Sequence, residues 1–118
     1  MEVTKREPKL LVQENGQYPF EVRYKGLRNA EARVRILARL ARVRSGNLGD
    51  HKIFGGIGEL RLDFGPGYRI YFAQSGTTIV VLLAGGDKST QDEDIQKARQ
   101  FWEDNKNAVE RFQRDFRG

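Results

Sequence analysis

The chain of 118 residues is predicted to form one α+β domain, in which helices pack against an antiparallel meander in the order β-α-α-β-β-β-α. Two regions carry this prediction. Residues 29–44 show an amphipathic helix pattern, and residues 59–84 form apolar and alternating segments separated by turn signals. A chain of this length buries roughly two-thirds of its unfolded surface in one core and is too short for two domains.

The elements near the N-terminus are short. Residues 10–12 are a strand candidate, which the turn signal Asn15-Gly16 ends. Residues 18–27 fit two patterns, because apolar residues alternate with charged ones as in a strand, whereas Pro19 followed by Glu21 is typical of a helix start. Periodicity alone leaves this segment undecided.

Residues 29–44 give the clearest helix signal. Asn29 is suited to the N-cap, and Gly46 lies just past the last turn. The predicted buried face consists of Ala30, Val34, Leu37, Ala38 and Ala41. A stripe of four arginines within roughly 60° of one another lies beside that face and comprises Arg28, Arg35, Arg39 and Arg42. The stripe is either an ordinary solvated face or a surface for phosphates or an acidic partner, and we favour the second interpretation.

The sheet follows. Residues 51–54 are predicted to form a short strand, and two alternating strands flank the tight turn Gly65-Pro66-Gly67. Residues 77–84 are almost wholly apolar and strand-forming, which predicts a central strand covered on both faces. The core is predicted to include Leu60, Leu62, Ile70 and Phe72.

A final helix is predicted to begin near a capping box formed by Thr90 and Glu93. Asn105 interrupts its apolar seam, so the helix is expected to end or weaken near residues 105–107. This divides the chain into a domain of residues 1–106 and a C-terminal helical extension of residues 107–118, which either packs or frays.

Composition narrows the function classes. Residues 1–90 carry 15 Lys/Arg against 9 Asp/Glu, and this basic excess favours a nucleic-acid partner, although modest basicity is common. The chain has no cysteine, no apolar run of about 18 residues and no signal-peptide pattern, so a cytoplasmic protein without a membrane span is expected. No phosphate-binding loop, nucleophile elbow or metal-ligand spacing is present, and no cofactor or metal is predicted.

Three cations on or beside the predicted strands suggest phosphate chemistry. Arg61 and Arg69 can hold and neutralise a phosphate but are poor bases, whereas Lys88 beside them can assist proton transfer. Asp87 or His51 is the more orthodox base. The competing interpretation is that these charges form surface ion pairs, such as Glu59–Arg69 or Asp63–Arg61.

The run from Glu59 to Gln91, ELRLDFGPGYRIYFAQSGTTIVVLLAGGDKSTQ, resembles the RelE/ParE superfamily of toxins, and within it the HigB-like killer-protein branch. The resemblance covers about residues 9–106. It implies a RelE-like domain with a short helix in residues 18–27, and a ribosome-dependent mRNA endonuclease that forms a 2′,3′-cyclic phosphate. It further implies a cognate helix-turn-helix antitoxin and an oligomeric complex with it.

The resemblance also implies roles for individual residues. Arg69 matches the strand arginine that contacts the scissile phosphate in the family, Arg61 lies near the basic residues of the preceding strand, and Lys88 stands where related toxins place another cation. Tyr68 is a candidate for stacking on a base. The remaining RNA-binding candidates are Lys52, Arg35, Arg39 and Arg42. Residues 91–95 lack the tyrosine expected in the RelE branch, and His51 is the only histidine.

Two function classes remain open at this level. The protein is either an enzyme that cleaves mRNA, or a binding protein without nuclease chemistry. The second class includes a ParE-like inhibitor of DNA gyrase and a toxin relative that has lost activity. The fold is shared between these classes and does not decide between them.

Overall fold

The computed structural model describes residues 7–10, 18–76 and 78–116, which form a mixed α/β domain with helices on both faces of a five-stranded sheet. The strands are β1 (Glu7–Leu10), β2 (His51–Phe54), β3 (Ile57–Arg61), β4 (Arg69–Ser75) and β5 (Thr78–Gly86). The helices are α1 (Pro19–Lys25), α2 (Ala30–Arg44) and α3 (Gln91–Phe116), and a 3₁₀ turn at Lys88–Thr90 precedes α3.

The sheet has the order β1-β5-β4-β3-β2. Strands β2 to β5 are consecutive antiparallel neighbours, which confirms the predicted meander but adds a fourth strand to the predicted order. Strand β1 pairs in parallel with β5, so β5 lies inside the sheet as its β-branched sequence predicts. The predicted first strand at residues 10–12 instead occupies residues 7–10, and residues 11–12 and Thr77 lie outside the described residues.

The two helix starts follow from local chemistry. Pro19 occupies the first turn of α1, where its missing N–H costs no hydrogen bond, so the helical alternative is confirmed for this segment. Asn29 caps α2 as predicted, because its side-chain oxygen accepts hydrogen bonds from the N–H groups of Glu31 at 2.9 Å and Ala32 at 3.2 Å. Gly46 follows α2 with a φ of 97°, a conformation that glycine adopts without strain.

Two apolar clusters form on opposite faces of the sheet, because neighbouring residues of a strand point to opposite sides. The first cluster joins α1 and α2 to the sheet and contains Phe20, Ile36, Val43, Leu60, Leu62, Ile70, Phe72 and Ile79. It includes all four strand residues predicted for the core. The second cluster joins α3 to the other face and contains Ile57, Tyr71, Ala73, Ala98 and Trp102.

The predicted buried face of α2 is wrong. Val34 and Leu37 are 65% and 53% exposed, and Ala30, Ala38 and Ala41 are exposed as well. The helix instead buries Ala32, Ile36, Arg39 and Val43, which lie on the opposite side of the helical wheel. Both sides carry apolar residues, and the inward side also carries the charged Arg39.

Helix α3 does not end near residues 105–107. It runs without a break to Phe116, and the Asn105 side chain donates to the carbonyl oxygen of Phe101 at 2.8 Å, so it bonds to its own helix without interrupting it. Val109 packs against the second cluster. The stretch within residues 107–116 therefore continues α3 and is not a separate helix.

Candidate active site

An open cleft with a volume of about 470 Å³ lies where β3 ends, β4 begins and the 3₁₀ turn follows β5. The strand register places Arg61 directly opposite Arg69, and Arg69 opposite Gly86 on the next strand. Three of the predicted catalytic cations therefore meet in one place. The cleft is lined by Asp50, Arg61, Leu62, Asp63, Gly65, Pro66, Gly67, Arg69 and Lys88.

The glycine turn between β3 and β4 allows this close approach. Gly67 has a φ of 82°, which disfavours any residue with a side chain. A Cβ atom there would lie 3.3 Å from Cγ of Lys88 and 3.5 Å from Nη1 of Arg69. The turn therefore brings the cation of the 3₁₀ turn and the cation of β4 to the same wall of the cleft.

Behind the cleft lies a buried carboxylate, which was predicted only as part of a surface ion pair. Glu59 is 0% exposed, and its Oε1 atom accepts a hydrogen bond from Nε of Arg61 at 3.0 Å. Nε of Arg69 is 3.6 Å from the same oxygen. Nε2 of Gln91, at the start of α3, donates to the other carboxylate oxygen at 2.9 Å. The predicted Glu59–Arg69 pair thus forms inside the protein.

Arg69 and Arg61 differ in their exposure. Arg69 is 7% exposed, and its Nη1 atom donates to the carbonyl oxygens of Gly67 at 2.9 Å and Tyr68 at 3.1 Å. Its Nε atom is buried and forms no hydrogen bond with a described residue. The Arg61 side chain is about one-third exposed and bonds only Glu59 within the described part of the chain. Arg61 and the exposed Lys88 are therefore the cations most open to a ligand.

Asp87 caps the 3₁₀ turn. Its carboxylate accepts hydrogen bonds from the N–H group of Ser89 at 2.8 Å and from the Ser89 hydroxyl at 2.5 Å, and these bonds lower the pKa of Asp87. The Thr90 hydroxyl completes a capping box with Asp87, so the predicted Thr90–Glu93 box is wrong. A carboxylate with a lowered pKa that serves as a cap is a poor base, and Asp87 does not line the cleft.

Three other predicted residues lie away from the cleft. His51 pairs with Leu60, so it faces the side of the sheet opposite Arg61, and its Nδ1 atom lies 2.8 Å from the carbonyl oxygen of Gly49. Lys52 pairs with Glu59 on the cleft side, but its Nζ atom lies 4.9 Å from the centre of the Phe54 ring. Tyr68 stacks with Phe64 and packs against the first cluster.

Two carboxylates that were not among the predicted bases line the cleft. Asp50 and Asp63 are both exposed there, close to the end of β3. Asp63 continues the charged side of the strand that carries Arg61, so alternation placed it near the cations. Asp50 gave no such signal, because its position depends on the loop before β2. The cleft thus combines cations with carboxylates able to accept a proton.

A second groove of about 220 Å³ adjoins the cleft and shares Leu62 and Asp63 with it. Arg35 and Arg42 of α2 line this groove. The Arg35 guanidinium lies 4.3 Å from the centre of the Phe64 ring, and its Nη2 atom lies 3.1 Å from a carboxylate oxygen of Glu31. A continuous surface with positive side chains therefore leads from α2 into the cleft.

Arg39 breaks the predicted arginine stripe. It is 8% exposed and donates to three main-chain carbonyl oxygens, those of Leu48, Asp50 and Arg61. Burial is the main cause that lowers its pKa, and the nearby charge of Arg42 adds to it. The prediction that Arg39 lies on an exposed surface is wrong, whereas Arg28, Arg35 and Arg42 are exposed.

The described residues hold no group of three or more His, Cys, Asp and Glu side chains arranged for a metal ion. Within the same ranges, every helix is too short or too polar to cross a membrane.

The sequence is similar to that of a protein of Haemophilus influenzae described as uncharacterized. The two chains are 50% identical over 74 residues, which are 62% of this chain and 75% of the relative. No protein-family model matches the chain, and no solved structure matches it. At this identity and coverage, the chain belongs to the same protein family as the Haemophilus influenzae protein.

Proposed function

We propose that this protein is the toxin of a type II toxin–antitoxin module, a RelE/ParE-superfamily protein of the HigB-like branch that cleaves mRNA on the ribosome. The observation that carries the proposal is the meeting of Arg61, Arg69 and Lys88 at one cleft. The run of sequence that resembles the family extends from β3 to the 3₁₀ turn and contains every residue that lines the cleft except Asp50. Two helices followed by an antiparallel meander and a last helix suit a RelE-like topology.

The cleft offers what RNA cleavage requires of a protein. The 2′-hydroxyl attacks the adjacent phosphate in line, and negative charge builds up on the phosphate oxygens. Arg61 and Arg69 hold and neutralise that phosphate, while Asp50 or Asp63 accepts the 2′-hydroxyl proton. Lys88 gives a proton to the 5′ oxygen as its bond to phosphorus breaks. These carboxylates replace Asp87 and His51 as the proposed bases. The products are a 2′,3′-cyclic phosphate and a free 5′-hydroxyl.

The second groove extends the proposed RNA path. A single strand whose scissile phosphate lies at Arg61 can continue past Leu62 and Asp63 toward Arg35 and Arg42. Contacts from arginine to backbone phosphates position RNA without reading its sequence. The ribosome selects and bends the mRNA, so the protein itself needs only a small set of catalytic groups.

The proposed partner, a helix-turn-helix antitoxin, has a suitable docking surface on the outward face of α2. Val34 and Leu37 are the large apolar residues of this face, and arginines flank it on both sides of the helical wheel. An amphipathic antitoxin segment with acidic borders complements that arrangement. The double substitution Val34→Glu/Leu37→Glu should abolish co-purification with the antitoxin encoded beside the gene. Ile53→Glu, at a site 56% exposed, should leave it intact, and an unchanged complex in the double variant would refute this surface.

Induction of the protein alone in growing cells tests the function. We expect translation to stop and new transcript ends to accumulate inside reading frames, and we expect Arg61→Ala to prevent both effects. If transcripts stay whole while DNA is broken and gyrase stalls, the proposal is wrong and the protein is a ParE-like gyrase inhibitor. Unimpaired growth with whole transcripts, in cells that accumulate the folded protein, would support the inactive binding relative.

A further inference from the structure

Four hydrogen-bond donors surround the buried carboxylate of Glu59. They are Nε of Arg61, Nε2 of Gln91, Nε of Arg69 and the hydroxyl of Tyr71. The Tyr71 hydroxyl is buried and forms no hydrogen bond with any described residue, and burial and the charge of Glu59 raise its pKa. A carboxylate has about four acceptor positions, so a small shift of Glu59 would satisfy all four donors.

A charge in the middle of a strand under a helix is costly unless it is paired and hydrogen-bonded. Glu59 lies between Gly58 and Leu60, on the face that also carries Ile57 and Tyr71 of the second cluster. An apolar side chain of similar volume at such a site is often at least as stable as an ion pair. A contribution to stability is therefore a weak explanation for a glutamate at position 59.

The orientation of the Arg61 and Arg69 guanidinium groups explains the glutamate better. Both present Nε to the same atom, Oε1 of Glu59, at 3.0 Å from Arg61 and 3.6 Å from Arg69. An arginine held by its Nε edge keeps its terminal nitrogens for other acceptors. Of these, only Nη1 of Arg69 is committed within the described residues, to the carbonyls of Gly67 and Tyr68.

We propose that Glu59 is a positioning residue, which holds both guanidinium groups so that both terminal nitrogens of Arg61 and Nη2 of Arg69 are available to one RNA phosphate, and that Gln91 fixes Glu59 from α3. Gln91 is 32 positions away in sequence and comes from the first turn of α3, so the helix and the two strands jointly set the arginine geometry. The proposal rests on the proposed function for the identity of the ligand. The orientation of the arginines is independent of it.

Asp94 supplies a matched control. It is a second buried carboxylate, 1% exposed, and it accepts from Arg23 at 3.2 Å and from the Thr90 hydroxyl at 2.6 Å. It does not line the cleft. Glu59→Gln and Asp94→Asn both remove a buried charge that an arginine partners, so both lower stability. Only Glu59→Gln releases Arg61 and Arg69.

The test measures the affinity of each variant for a single-stranded RNA oligonucleotide with 2′-O-methyl groups, which block cleavage. Glu59→Gln should weaken binding by roughly tenfold, the equivalent of one charge-assisted hydrogen bond, and Asp94→Asn by less than about twofold. Gln91→Met keeps the charge of Glu59 but removes the hydrogen bond that fixes it, and should weaken RNA binding by about threefold. This variant tests the proposal if Glu59→Gln fails to fold. In an Arg61→Ala background, Glu59→Gln should add little, because one of the two groups it orients is gone.

Equal effects of Glu59→Gln and Asp94→Asn on RNA affinity, or full additivity with Arg61→Ala, would reduce Glu59 to a structural ion pair. If the parent protein does not bind the free oligonucleotide, binding requires the ribosome, the proposed function is tested by cleavage on ribosomes, and the positioning role is decided by nuclear magnetic resonance. The Nε–H signals of Arg61 and Arg69 should then be sharp and protected in the parent protein and broadened in Glu59→Gln. Unchanged signals would overturn the role.

Discussion

Arg39 and Arg69 are almost equally buried, at 8% and 7% exposure, but their partners differ. Arg39 donates only to main-chain carbonyl oxygens, which belong to three residues. Arg69 gives one nitrogen to two carbonyls and turns Nε toward the carboxylate of Glu59. A buried arginine bonded to carbonyls acts as a structural link, whereas one that shares a carboxylate at a cleft can also serve a ligand.

Arg39, as a structural link, holds the elements around the candidate site together. Arg39 ties α2 to the loop at Leu48 and Asp50 and to the end of β3 at Arg61. Two of these three acceptor residues line the cleft. The position of the cleft wall relative to α2 therefore depends on a side chain that contacts no proposed substrate.

The largest effect on stability is expected for the substitution Arg39→Met. The substitution leaves three carbonyl groups without their donor, and we expect a loss of about 3 kcal/mol in the free energy of unfolding. Urea denaturation of the purified variant measures this loss. Arg39→Lys should recover part of it because an ammonium group can still donate. A free energy of unfolding equal to that of the parent would show that these bonds contribute nothing.

For Arg69→Lys we expect a smaller loss of stability than for Arg39→Met, together with a large loss of RNA cleavage. Lysine keeps the positive charge beside Glu59 but cannot bond the carboxylate and the turn carbonyls together. We expect about 2 kcal/mol of destabilisation and roughly a hundredfold slower cleavage. Parallel denaturation and single-turnover cleavage assays measure both. Activity equal to the parent would place Arg69 with Arg39 as a structural residue.

Arg61→Ala should separate function from stability most cleanly. Its side chain is about one-third exposed, so its removal should cost about 1 kcal/mol, mostly through the weaker pairing of Glu59. Cleavage should fall by at least about a hundredfold, since the most open arginine of the cleft is lost. Thermal unfolding checks that the variant is folded. A loss of stability comparable to that of Arg39→Met would contradict the division between the two regions.

The smallest effect concerns pH. The lowered pKa of Asp87 means that its capping bonds stabilise the folded protein above the unfolded-state pKa of about 4, and that this stabilisation is lost as the pH falls through the folded-state value. Asp87→Asn should therefore flatten the fall in stability below about pH 4 and leave cleavage at neutral pH nearly unchanged. Denaturation at several pH values measures the first effect. Abolished cleavage at neutral pH would restore Asp87 as a catalytic residue.

The strands of the meander and the N-cap of α2 were predictable because their signals are local. Alternation in β3 and β4, the apolar run of β5 and the Asn29 cap each depend on a few neighbouring residues. The face that α2 buries was not predictable in the same way. Both of its sides carry apolar residues, and the choice depends on carbonyl acceptors 9 to 22 positions away that accommodate Arg39.

The candidate site was predictable only in part, for a similar reason. The strand pattern grouped Arg61 with Arg69 and placed Lys88 beside them, and all three line the cleft. Glu59 was read as one half of a surface ion pair, because alternation identifies the face of a strand but not the helix that covers it. Its contact with Gln91 joins elements 32 positions apart. Asp50 was not predicted to line the cleft, because it lies in a loop whose position depends on a hydrogen bond from Arg39.

The most direct measurement of the central claim is cleavage of a defined mRNA on purified ribosomes, with the product ends mapped by primer extension. We expect the parent protein to cut at the codon in the decoding site, to leave a 2′,3′-cyclic phosphate, and to leave the mRNA whole when ribosomes are omitted. Arg61→Ala, folded as the parent, should not cut. An intact mRNA with the parent protein and ribosomes, or cutting by Arg61→Ala at the parent rate, would contradict the account.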